Sequence, residues 1–286
     1  MVDYVHSVGR EIFFSMRVND THDYTYEQHQ LDPWKLAHPE LLMFKKDEVT
    51  QYMPYGGTRW SSADYTHNEV RKLVYDVYAD VLARYDVDGI ELDFTRHPVF
   101  FKEVTMGYDI YPENIERMNN LIRSIRDLTE KVSVEKGKPI LIDIVVPDSL
   151  DFCHDIGLDV RTWLEEGLVD IVSIGSSHPA AFQHWNTSIK EYDGYDVTVH
   201  ANLDPNTFNK ETMDEQTIAI NEAAFAYACG ADGISMYNQF NINSEVFDIL
   251  GTKETCPPYD PSYVSQRVSK PNAQLIKGQD KYFNLP

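Results

Sequence analysis

The chain has 286 residues, a formal net charge of −21, and a composition that is 42% hydrophobic and 12% aromatic. That content excludes a disordered chain, and the length suits one α/β barrel, which typically needs ~250 residues. An acid excess of this size repels phosphate backbones, and no apolar run approaches the ~20 residues of a spanning helix, so neither nucleic acid nor membrane is an expected partner.

In chain order, the start MVDYVHSVGR lacks the regions of a signal peptide, and Val2, Val5 and Val8 followed by Gly9 read as the tail of a helix. Glu11–Val18 (EIFFSMRV) is rich in β-formers and predicts a strand. A long excursion, residues 19–67, follows. It carries Tyr24, Tyr26, Trp34, Tyr52, Tyr55, Trp60 and Tyr65, which either stack on sugar rings or anchor the loop. A helix starting near Asn68 places Val70, Leu73, Val74, Val77, Val81 and Leu82 on one face, and the strand Val87–Phe94 follows it.

A second excursion, residues 95–111, leads to a helix opened by Pro112 with Ile115, Met118, Leu121, Ile122, Ile125 and Leu128 on its apolar stripe. Further strands are expected at Pro139–Val146, from residue 169, at Val197–Leu203 and from residue 232; Ile218, Ala223, Ala224 and Tyr227 mark the helix that Gly230 stops. Helix, short turn and apolar strand thus recur, as a parallel α/β architecture requires. Of the cysteines Cys153, Cys229 and Cys256, which show no metal spacing, Cys229 reads as a core thiol.

Six strands are visible where a closed barrel has eight. The expected fold is therefore a (β/α)8 TIM-barrel type, incomplete at the N-terminus with its first two βα units missing; the alternative hides two strands in atypical sequence. Residues 1–250 form the barrel domain. Residues 251–286, rich in proline and polar residues, form a C-terminal extension packed on it.

Barrel enzymes build their sites at the carboxyl ends of the strands. In DGIELDF, period-two alternation sets Ile90, Leu92 and Phe94 on the helix-facing side and Glu91 and Asp93 in the lumen. Two acids crowded there suit a general acid beside a base or nucleophile; for Glu91 an ion pair with Arg17 is the competing reading. Ser15, Arg17 and Asn19 share one face of the first strand. Asp20, His22 and Asp23 follow it, either as a second acid/base group or as turn caps.

Arg96 and His97, Asp148, His178, His200 with Asn202, and Tyr237 with Asn238 occupy other strand ends and are candidate substrate-binding residues. Asp88, Asp170 and Asp232 open their strands and read as structural. There is no GxGxxG, P-loop, HExxH or GxSxG motif, and no cofactor or metal is expected. A minority reading assembles His22, Glu91, Asp143, His178 and His200 around a divalent metal, as in a barrel isomerase or epimerase.

The succession GREIFFSMRVNDTHD, YDVDGIELDFTRHPVFF, GLDVRTWLEEGLVDIVSIGS and GADGISMYNQF resembles the glycosyl hydrolase-like family ten, barrel proteins of polysaccharide-degrading bacteria, over roughly residues 5–240. The resemblance implies that Glu11–Val18 is strand three of the barrel, Val87–Phe94 strand four and the GADGI segment strand eight. It also implies a secreted or periplasmic setting and a carbohydrate substrate. A glycoside hydrolase is then expected, with Asp93 as nucleophile or base and Glu91, or after it Asp20 or an acid contributed by a loop, as proton donor. A non-catalytic carbohydrate-binding barrel is the alternative, and a homodimer or another chain is a candidate to complete the ring.

Overall fold

The computed structural model describes residues 1–25, 31–175, 185–203, 214–237, 242–264 and 274–282. Six parallel strands are hydrogen-bonded in chain order: β1 (Phe13–Arg17), β2 (Gly89–Asp93), β3 (Leu141–Val146), β4 (Ile171–Ile174), β5 (Thr198–Leu203) and β6 (Gly233–Met236). Helices cover the outside: α1 (Val2–Ser7), α2 (Asn68–Arg84), α3 (Pro112–Lys136), α4 (Val160–Glu165), α5 (Trp185–Ser188), α6 (Glu215–Cys229) and α7 (Ser244–Leu250). The sheet is an incomplete (β/α)8 barrel. Every expected strand is present, each slightly shorter than its apolar run.

The outer face of the sheet is the core. Ile90, Leu92, Ile142, Ile144, Val146, Val172, Ile174, Ala201 and Leu203 are fully buried against the apolar stripes of α2, α3 and α6. Side chains buried on both sides of a sheet explain why these strands read as continuous hydrophobic runs. On α2 the buried stripe is Val70, Val74, Tyr78, Val81 and Leu82. Leu73, expected on that stripe, is exposed; Tyr78 takes the inner position and donates from its hydroxyl to the Glu91 carbonyl at 3.0 Å. α6 ends where expected, on Gly230, whose φ of +111° suits glycine. The cysteine reading needs correction as well, because Cys153 is the fully buried thiol and Cys229 is only half-buried.

The acids that open the strands form a repeating latch. Asp88 accepts the Ile12 N–H at 2.8 Å, Asp170 the Ile142 N–H at 2.7 Å, and Asp232 the Val199 N–H at 2.9 Å. Each carboxylate therefore ties its own strand to the one before it, at the end of the barrel opposite the strand carboxyl termini. Asp88 also meets His6 of α1 and Lys138, and Asp170 meets Arg126 of α3.

The edge strands are less well covered. Phe14 and Met16 of β1, and Ile234 and Met236 of β6, are half-buried where the equivalent residues of β2 to β5 are enclosed. One described stretch of the tail, residues 274–282, lies on the body. Leu275, Ile276 and Tyr282 are buried, Gly56 donates its N–H to the Gln274 carbonyl at 2.9 Å, and Tyr282 and Lys281 hold Asp155. No helix among the described residues is long and apolar enough to cross a membrane.

Candidate functional site

Parallel pairing in register stacks the inward side chains in levels. Ser15, Glu91 and Asp143 stand at one level of β1, β2 and β3, and Arg17, Asp93 and Val145 stand at the next, toward the strand carboxyl ends. The Ser15 hydroxyl donates a short hydrogen bond to Glu91. Burial raises the Glu91 pKa and the charge of Asp93 adds to it, against the lowering effect of Ser15. Glu91 thus pairs with Ser15, and the competing ion pair with Arg17 does not form.

Asp143 is buried, hydrogen-bonded by the Ser173 hydroxyl at 3.2 Å, and its Oδ1 has no partner. Burial, reinforced by the charge of Glu91, pushes its carboxyl up to about 8. At neutral pH one lumen acid is therefore protonated beside another whose affinity for protons is also raised. The sequence reading placed Asp143 only in the metal set. Its signal was available, since it is the sole polar residue of ILIDIVV and shares the parity of the lumen face.

Asp93 is buried at the end of β2, where Oδ1 accepts the Thr95 N–H at 2.9 Å, the Thr95 hydroxyl at 2.8 Å and the Arg96 N–H at 3.2 Å. These donors fix the turn that leaves the strand and suit a carboxylate anion. They also position Arg96 and His97. Arg96 reaches the His22 Nε2 at 2.6 Å, while buried His97 accepts the Thr21 N–H on Nδ1 at 2.9 Å. Burial, then the charge of Arg59, pushes His97 down to about 3, leaving a neutral ring whose Nε2 carries the proton.

At the end of β1, Arg17 donates to Asp20 at 3.0 Å and to the Tyr237 hydroxyl at 2.5 Å, bridging the first strand to the end of the last. Asp20 also accepts from the backbone and ring of His22, at 2.9 Å and 2.5 Å. Burial acts to raise Asp20, but these hydrogen bonds from His22 and Arg17 outweigh it and hold the carboxyl well below the usual range. It is a fixed anion and holds no proton to donate near neutral pH. Arg59, which the sequence reading missed, joins the group by donating to the Thr21 hydroxyl at 3.3 Å with its guanidinium 4.7 Å from the Tyr24 ring. It lies in an excursion without periodicity, where nothing local marks which side chains return to the mouth.

The remaining candidates divide. Asn19 is buried, and its side chain stitches the loops together through Ala63 N–H and the Ala63 and Val99 carbonyls. Asp23 is held by Lys35 at 2.9 Å and Ser61 at 2.7 Å, and Asp148 is buried with the α5 residue Ser188 on its Oδ2. All three face protein rather than cleft. His200 lies in the lumen above Gly233, where a Cβ would stand 2.6 Å from its ring. Asn202 is buried at the next inward position of β5. His178 and Asn238 lie outside the described residues, as does Tyr26. Of the loop aromatics, Trp60 and Tyr65 are buried anchors, bonded to the Tyr24 and Val18 carbonyls.

The metal set drawn from the sequence is not assembled among the described residues. The one group there whose ligand atoms converge, within 4.8 Å of one another, is Asp20, His22 and His97. Three guanidinium groups surround it and Thr21 already occupies the His97 Nδ1, so the local charge does not fit a divalent cation.

The sequence matches no protein-family profile and no curated protein. Among solved structures, the chain is similar to an α-amylase from Anoxybacillus described as representing a new glycosyl hydrolase subclass. The TM-score is 0.50 with 12% identity over 87% of this chain and 57% of the amylase. An α-amylase from Geobacillus thermoleovorans, solved with acarbose, gives a TM-score of 0.46 at 15% identity with the same coverage, 87% and 57%. The chain thus spans a little over half the length of these enzymes. Likeness at this identity is likeness of fold alone, that of a (β/α)8 barrel.

Proposed function

We propose that this protein is a glycoside hydrolase acting on an oligo- or polysaccharide, with Asp93 as nucleophile or base and Glu91 as proton donor. The observation that carries the reading is the contrast between two carboxyls on one strand face. Glu91 is desolvated and shifted toward its protonated form, whereas Asp93 is wrapped in N–H and O–H donors suited to an anion. Such separation of environments is how paired acids divide the work of donor and base. Asp143 stands beside Glu91 one strand over, and Ser15 orients Glu91. Arg17, His22, Arg96, His97 and Tyr237 then form the rim that receives the sugar.

The test is reducing-end release from a glycan panel by wild type, Asp93→Asn and Glu91→Gln. Each variant should lose about 10²–10⁴-fold in kcat on a cleaved substrate, with the fold intact by circular dichroism. Full activity in Asp93→Asn would sink the proposal. The second reading, a carbohydrate-binding barrel without turnover, draws on the fact that Asp93 Oδ1 is already spent on building the turn. Glycan binding unchanged in both variants, with no release by wild type, would select it.

A further inference from the structure

Several arginines elsewhere on this molecule hold carboxylates, Arg123 with Glu116 and Glu166, Arg126 with Asp170 and Arg161 with Asp151, while Arg71 and Arg117 bond carbonyl and amide oxygens. At the mouth of the barrel the arginines stand close to one another. Arg59 and Arg96 form no ion pair among the described residues. Arg59 has one long contact, to Thr21 at 3.3 Å, and Arg96 bonds His22 while its buried Nε meets no acceptor. Burial pushes Arg59 down and the charge of Arg96 adds to it, against the pull of Tyr24 and Asp20.

Arg17 completes the patch, and both it and Arg96 stand 5.6 Å from the Tyr237 ring. The carboxylates within reach are already engaged, Asp20 by Arg17 and His22 and Asp93 Oδ1 by its loop. A chain with a net charge of −21 has thus gathered three guanidinium groups on one rim, beside the aromatic faces of Tyr24 and Tyr237. Like charges held together cost stability unless a ligand's opposite charge offsets them, and planar guanidinium groups suit carboxylate and sulfate oxygens.

We infer that the saccharide received at this mouth is anionic, a sugar bearing a carboxylate or a sulfate ester that Arg59 and Arg96 grip with Arg17. That the ligand is a saccharide rests on the proposed function; its charge rests on the guanidinium groups.

The experiment titrates the whole protein calorimetrically with three hexasaccharides: neutral cellohexaose, hexagalacturonate and a sulfated carrageenan fragment. One charged probe should bind at least about tenfold tighter than the neutral one, and the probe that does so identifies the source of the charge. Arg59→Gln and Arg96→Gln should each weaken that binding about tenfold, with Arg96→Lys retaining part of it. If a glutamine variant fails to fold, wild type alone decides, since charge-driven binding must fall steeply as salt rises from about 50 to about 500 mM.

Equal or tighter binding of cellohexaose, binding indifferent to salt, or no binding of any probe would overturn the inference. Cleavage of cellohexaose without preference for charge would overturn it and leave the hydrolase reading standing. Selective binding of a charged probe that wild type never cleaves would sustain the inference and remove the hydrolase reading.

Discussion

At the level of single residues, Asp143 and Glu91 stand side by side on neighbouring strands, and their proton balance should be visible in the stability of the whole protein. An unfolded aspartate titrates near pH ~4, whereas burial and the Glu91 charge push folded Asp143 up to about 8. The folded chain therefore holds an additional proton across that interval. The resulting stabilisation is complete below pH ~4 and is lost as pH rises through the folded value. Differential scanning calorimetry should show the midpoint advantage of wild type over Asp143→Asn shrinking by roughly 5 °C between pH 5 and pH 8, a difference that cancels the opposite trend neutral His97 gives both proteins. An advantage that does not change with pH would mean that Asp143 is ionised in the fold. At this scale the sequence was partly legible. The parity of Glu91 and Asp93 follows from alternation alone, but how far each acid is desolvated depends on Ser15, Ser173 and Asp143, which arrive from other strands.

At the level of elements, the aspartate before a strand acts as a latch on its predecessor. Asp170 receives the Ile142 N–H at 2.7 Å and Arg126 at 2.8 Å, joining β4, β3 and α3. Asp170→Ala removes a charge-assisted acceptor from both donors and should cost about 2–3 kcal/mol in urea unfolding, with little effect on ligand binding at the opposite end of the barrel. Loss below 0.5 kcal/mol, on the order of a neutral surface substitution, would show the latch to be ornamental. Elements of this kind were readable because their signals are local: the apolar period of α2 and α3, the glycine that ends α6, the acid that precedes a short strand. The interior of residues 19–67 was not. Its short turns of helix follow no period, and which of its side chains return to the rim, as Arg59 does, is set by contacts with Thr21 and Tyr24 rather than by spacing.

At the level of the whole molecule, six strands form a curved wall whose two outer members have neighbours on one side only among the described residues. Inner strands pair on both sides and are sealed by α2, α3 and α6. Backbone amide exchange followed by mass spectrometry should therefore be slowest in β2 to β5 and measurably faster in β1 and β6. Uniform protection across all six would mean that another element covers the edges in solution.

The join between those edges also governs what can enter. Arg17 of β1 and Tyr237 just past β6, 220 positions apart in the chain, meet through a hydrogen bond of 2.5 Å across the open side of the ring. A guest that draws Arg17 away from Tyr237 would unfasten this clasp. Admission would then be an exchange of partners, and the ring would be at its loosest when full.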